Sequence, residues 1–245
     1  MKLQFFLIFI IFSNISIALN PFIAEYKLVV SGIPIATEIR TLNQFGNDYV
    51  YTANAKTSGL AKLLGDISIE ARSLFSVNEN GIDAQSYLIN ESKNSQLTKS
   101  YALNISSKHN MALSTSALSI PDAAILKSKD GNIVDPLSLF LALSYDLKKH
   151  PQKIIFNYQV ANGETIEQQQ YTKISNVIVD IDNKPISAIK VKKIGSNDDI
   201  HAFFSPKYQY LPILIEKNKK GKRYSYELIG LEINKNLKND LQVVF

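Results

Sequence analysis

The sequence predicts a mainly β protein: one antiparallel curved sheet forming an open or half barrel, with a two-sheet sandwich as the alternative, and one buried helix at about residues 136–149. Three observations predict it. Apolar residues recur at every second position along most of the chain, hairpin-type turns separate those runs, and one segment alone carries a capped, apolar helical pattern. A strand with one buried face produces the first pattern, because successive side chains point to opposite sides. Strands joined by short turns are antiparallel.

The first segment is a leader. Lys2 supplies a positive charge, residues 3–12 are apolar except for Gln4, Ser13 and Asn14 turn polar, and Ser16 and Ala18 are small. This is the layout of a secretory signal peptide. Its apolar run is shorter than the roughly 20 residues a membrane-spanning helix needs. The expectation is a cleaved signal peptide over residues 1–18, a mature chain starting near Leu19, and a periplasmic location.

Strand patterns follow. Tyr26, Leu28 and Val30 alternate with Glu25, Lys27 and Val29. Ile67, Ile69, Ala71, Phe75 and Val77 share one face, and Ser68, Glu70, Arg72 and Ser76 the other. Val177, Val179 and Ile181, then Ile189 and Val191, then Leu211, Ile213 and Ile215, repeat the alternation. Turns at Ser31-Gly32, Gly46-Asn47-Asp48, residues 78–81, Asn162-Gly163, residues 182–185 and residues 219–221 separate the runs. Between strands, residues 59–65 carry Leu60, Leu63 and Leu64 at helical spacing, suiting a short turn at a sheet rim.

The helix is signalled at both ends. Asp135 suits a cap and Pro136 a first turn; Lys148, Lys149 and His150 sit at the negative end of the helix dipole, before Pro151. Residues 137–147 are apolar nearly all round, which implies burial on several sides. Residues 117–132 are a poorly patterned connector. The expected organisation is one β-rich domain over 19–233, with candidate halves 19–117 and 133–233, and a tail over 234–245.

Composition narrows the chemistry. With no cysteine, disulfides, thiol catalysis and thiolate metal sites are excluded, as is a cysteine-borne lipid anchor. The net charge of +5 suits a solvated surface, and nucleic acid is not an expected partner of an exported chain without a basic arm. Beyond the leader no segment is apolar enough to cross a membrane as a helix, and peripheral membrane contact is compatible with the chain. No Gly-x-Ser-x-Gly elbow, phosphate-cradling glycine loop or dinucleotide fingerprint is present. The three histidines, His109, His150 and His201, are scattered; Asp199 with His201 and Asp180 with Asp182 would share strand faces, but a solvated strand face and a turn account for them better than a metal does. No catalytic residue, metal site or cofactor is assigned. The basic run Lys217, Lys219, Lys220, Lys222 and Arg223 reads first as a soluble hairpin tip and second as a contact for anionic headgroups. Tyr49 with Tyr51, Tyr224 with Tyr226 and Tyr208 with Tyr210 suit sheet packing or the wall of a pocket.

Three stretches in order, residues 24–36, 135–143 and 203–216, resemble the bacterial exported family called domain of unknown function 3108. They correspond to its opening strand, glycine turn and second strand, its aspartate-led helix, and its aromatic, Leu-Pro and strand signature. Phe203 or Phe204 stands here for a tryptophan often seen in that family, and Ala36 for a common glycine. The resemblance implies a β-rich envelope protein without an established activity. By looser analogy the fold is similar to the half barrel of periplasmic lipoprotein carriers, which hold acyl chains.

The functional expectation is an exported, non-catalytic protein that binds a hydrophobic or amphipathic envelope ligand, a lipid among them, or a partner protein. Leu60, Leu63 and Leu64 would form a mobile lip over the binding hollow. The alternatives are an envelope hydrolase acting on glycan or lipid, an outer-membrane β-barrel, and an envelope scaffold.

Overall fold

A computed structural model describes residues 18–116, 118 and 123–233, so the expected leader and the tail from 234 lie outside the described residues, apart from Ala18. The strands are β1 (Phe22–Val30), β2 (Ile33–Phe45), β3 (Asp48–Thr57), β4 (Ile67–Asn78), β5 (Gly81–Lys93), β6 (Gln96–Ser106), β7 (Met111–Ser116), β8 (Ala124–Lys127), β9 (Ile133–Val134), β10 (Ile155–Ala161), β11 (Ile166–Ile181), β12 (Lys184–Ile194), β13 (Asp199–Ser205), β14 (Leu211–Lys219) and β15 (Lys222–Ile233). Among the described residues one α-helix, α1 (Leu139–Lys149), lies between β9 and β10.

All fifteen strands belong to one sheet, in the order β8-β7-β6-β5-β4-β3-β2-β1-β15-β14-β13-β12-β11-β10-β9. A single continuous sheet replaces the sandwich alternative. β1 to β8 form one meandering wing and β10 to β15 the other. The first and last strands join them, with Phe22 opposite Ile233 and Val30 opposite Tyr224. The short β9–β10 pair is parallel. The turns are tight and suit their residues: Ser31-Gly32, Asp182-Asn183 and Lys220-Gly221 have positive φ at both positions, the geometry of a type I′ hairpin turn, whose twist matches the flanking strands.

A twisted sheet this wide curls, and here it curls around α1. The helix touches β5 on one wing and β10 and β14 on the other. Leu139, Leu141, Ala142, Leu143, Tyr145 and Leu147 are buried around most of its circumference, against a core that includes Phe22, Leu42, Phe75, Phe156 and Ile213. The predicted helix start is refined slightly: residues 136–138 form a turn and the regular helix begins at Leu139. Asp135 does cap it. Its Oδ1 accepts the N–H groups of Leu137 and Ser138, both at 2.9 Å, and its Oδ2 accepts the hydroxyls of Ser138 and Ser73. Ser73 is fully buried on β4, so it binds the helix cap to the first wing.

The two free edges of the curl are joined by side chains. The Ile133 N–H donates to Ser107 Oγ at 3.0 Å, Asn132 Nδ2 to the Ile82 carbonyl at 3.2 Å, and the Lys129 N–H to Gln159 Oε1 at 2.7 Å. Ser114 Oγ donates to the Gly163 carbonyl at 2.6 Å. Gly163 has φ +97°, and a Cβ there would lie 2.6 Å from the Tyr101 ring, so the seam needs glycine at this turn for both conformation and space.

Candidate functional site: an apolar hollow with a basic mouth

Where the two wings join, the concave face leaves a hollow of about 530 Å³ that the helix does not fill. That is within the usual range for small-molecule sites, roughly 300–1,000 Å³. Its wall is built from Leu28 of β1, Ile35 of β2, Ile200 of β13, Ile215 of β14, Tyr224 and Tyr226 of β15, and Phe140 of α1. Phe140 is the apolar residue of α1 left partly exposed. It meets Tyr171 edge-on, with ring centroids 6.3 Å apart.

Ile35 reaches this wall through a bulge. Leu28 pairs with Ala36, but Val29 pairs with Pro34, so Ile35 is the extra residue. A bulge bends its strand and re-aims a side chain. Strict alternation from the inward-facing Ala36 would place Ile35 outside. The Ile35 carbonyl accepts the Ser58 N–H at 2.9 Å, which ties the following 3-10 turn, Gly59–Leu64, to the same rim.

The mouth is basic. Ile215 lies opposite Tyr226 and Lys217 opposite Tyr224, so period two carries Lys217 and Lys219 onto the inner face with Ile213 and Ile215. Glu216 and Arg223 fall on the outer face and pair there. The basic run is therefore divided: Lys217 and Lys219 line the hollow, while Lys220 and Lys222 stay exposed at the hairpin tip. Lys217 Nζ lies 2.7 Å from Asp198 Oδ2 and holds that carboxyl below the usual carboxylate range. Nearby, on the Val191 face of β12, burial pulls the Lys193 ammonium below the usual lysine value; Glu167 opposes this and Lys217 adds to it.

Deeper on the same inner face is a polar floor. Glu38 and Arg40 pair with side chains only 11% exposed. The Arg40 guanidinium sits 4.9 Å above the Tyr26 ring, and the Tyr26 hydroxyl donates to the Pro212 carbonyl at 3.0 Å. Burial pushes the Tyr51 and Tyr226 hydroxyls above the usual tyrosine range. These tyrosines are neutral at neutral pH, and no buried side-chain polar atom of the floor lacks a partner among the described residues.

Of the sequence-predicted site residues, Leu63 is 83% exposed at the rim and outside the wall. The side chains of Leu60 and Leu64 lie outside the described residues. Tyr224 and Tyr226 do line the hollow, Tyr49 and Tyr51 are core, and Tyr208 lies in a 3-10 turn instead of a strand. His201 Nε2 and Lys192 Nζ both lie 3.0 Å from Asp199 Oδ1, so Asp199 is engaged in an ion-pair cluster, while Asp182 faces Lys27 at 3.6 Å. No cluster of three or more His, Asp or Glu residues suited to a metal occurs among the described residues. Ile35 and the inward lysines were missed by sequence reasoning. The alternation around Ile213 and Ile215 carried the signal for the lysines; nothing local marked the bulge.

A second cleft lies between the helix C-terminus and strands β5 and β10, and it is polar. Glu79, Asp130, Asp146, His150 and Tyr158 contribute to it. Two of its three acids are engaged: Asp146 accepts the Tyr158 hydroxyl at 2.7 Å and Asp130 the Asn110 amide at 2.6 Å.

The sequence matches no family model and no curated protein. Its structure is similar to the crystal structure of a β-barrel-like protein of domain of unknown function DUF1849 from Brucella abortus, with a TM-score of 0.57 and 10% identity over 89% of this chain and 99% of that one. At that identity the likeness establishes the fold alone, a β-barrel-like sheet.

Proposed function

We propose that this chain is an exported, non-catalytic envelope protein that takes the acyl chain of an amphipathic ligand into the hollow between its wings. The observation that carries the reading is the wall itself, which draws apolar side chains from both wings and a partly exposed phenylalanine from a helix otherwise buried. A preformed apolar hollow gains about 0.8 kcal/mol per buried methylene, and its basic mouth would leave a polar head in water. The resemblance to the domain of unknown function 3108 family and the leader over residues 1–18 support a periplasmic location, where such ligands occur.

The competing readings have less support. A membrane-spanning barrel must close so that no strand edge meets lipid, whereas this sheet ends at β8 and β9. No helix of the described residues is long and apolar enough to cross a membrane. The hydrolase reading has less support because two acids of the polar cleft, Asp130 and Asp146, are engaged by Asn110 and Tyr158. Native mass spectrometry of protein purified from cells, followed by titration with a fluorescent fatty acid, tests the reading. Co-purifying lipid or saturable uptake is the expected result; ligand-free protein that also ignores the fatty acid overturns it.

A further inference from the structure

We infer that the hollow selects an amphiphile with an anionic headgroup, the head being held by Lys217 and Lys219. This rests on the acyl-chain reading above and adds the chemistry of the head. The walls of the hollow are apolar and its charged lining residues are both lysines. Within the mouth, Lys193, Lys217 and Lys219 face Asp198 and Glu167. Asp198 is committed to Lys217 at 2.7 Å, and Asn162 Nδ2 donates to Glu167 at 3.0 Å. Lys219 has no carboxylate partner within ion-pair distance among the described residues. The mouth therefore keeps an excess of positive charge beside apolar surface.

The geometry suits a head and a tail on one molecule. Lys217 and Ile215 are neighbours on one face of one strand, and Tyr224 lies across from Lys217. A tail against Ile215, Tyr226 and Phe140 therefore brings its head to the lysines. A carboxylate or phosphate there would accept charge-assisted hydrogen bonds and would relieve the repulsion between Lys193 and Lys217. A cationic head would meet like charge, and a neutral head would gain only ordinary hydrogen bonds.

The test is isothermal titration of the protein with laurate, dodecyl phosphate, dodecyl maltoside and dodecyltrimethylammonium, each below its micellar concentration, with inorganic phosphate as a fifth arm. The anionic chains should bind at least about tenfold tighter than the neutral and cationic ones at low salt, with the gap narrowing as salt screens it. Laurate against dodecyl phosphate separates the two head chemistries. The gap should collapse in the Lys217→Met, Lys219→Met double variant. Lys219→Glu, at an exposed position, should narrow it without affecting folding. Equal affinity for anionic and neutral chains overturns the headgroup inference and leaves the acyl-chain reading standing. Inorganic phosphate binding as tightly as dodecyl phosphate also overturns it, since the tail would then add nothing. Failure of all four chains to bind overturns both.

Discussion

Filling the hollow should shorten the longest chain it accepts. Leu28 is the wall residue best suited to the change, because it is only partly buried and lies opposite Tyr226, farther from the mouth than the Lys217–Tyr224 row. Each methylene that enters apolar surroundings contributes about 0.8 kcal/mol, close to a fourfold gain in affinity. Affinity for a series of fatty acids from eight to eighteen carbons should therefore climb about fourfold per methylene and then level off once the hollow is full. In Leu28→Trp the indole occupies space now open to the chain. If it displaces about three methylenes, the plateau arrives about three carbons earlier and the longest ligands lose about 2.4 kcal/mol, close to sixtyfold. Fluorescence displacement across the series measures both quantities. The short chains act as an internal control, since they should bind the variant as they bind the parent. A uniform loss at every length, or an unchanged plateau, would refute the assignment of this hollow as the tail site.

Three further predictions concern the scaffold. Gly163→Ala places a Cβ against the Tyr101 ring and strains a left-handed turn, so it should destabilise by about 1–3 kcal/mol, read as a lower urea midpoint with the slope unchanged. Arg40→Met leaves Glu38 buried without its partner and should cost about 3–5 kcal/mol, whereas Glu38→Leu with Arg40→Met should recover much of that; a double variant no more stable than the single would argue against a desolvated pair. Burial raises the Asp135 carboxyl above its ordinary value of 3.8, with its hydrogen bonds opposing the rise. Between those two values the folded state binds more protons than the unfolded, so this group's contribution to stability falls as pH rises from the unfolded value to the folded one and is level above it. The stability of the parent relative to Asp135→Asn should therefore decline as pH rises from about 3 toward neutrality; a difference in urea unfolding free energy that rises over that range would contradict the buried, unfavourably ionised carboxylate.

Local pattern carried much of the fold. The alternation at residues 67–77 placed Phe75 inward, where it is fully buried, because a pleated strand with one wet face leaves that trace in its own side chains. The same stretch hid its most informative residue. Ser73 interrupts the apolar face between Ala71 and Phe75, and only the approach of Asp135 from far along the chain explains a fully buried hydroxyl there. The site was less legible than the fold. Tyr224 and Tyr226 were candidate pocket residues, but Lys217 and Lys219 were read first as part of a soluble hairpin tip, because their charge outweighed their parity. The three leucines at 60, 63 and 64 drew attention as an apolar cluster, yet the wall is made by residues distant in sequence, such as Ile35, Phe140 and Ile200.

The amino-acid sequence by itself determined a β-rich chain of hairpins, one capped and buried helix, and an interior with no thiol chemistry. These follow from side-chain period, turn stereochemistry and composition, all set by neighbours along the chain. Only the tertiary structure decided that β1 pairs with β15, that the sheet curls without closing, and that a bulge turns Ile35 inward beside two lysines. Those outcomes depend on register, twist and the fit of a helix against two wings at once, energies shared between residues too far apart for any local pattern to record.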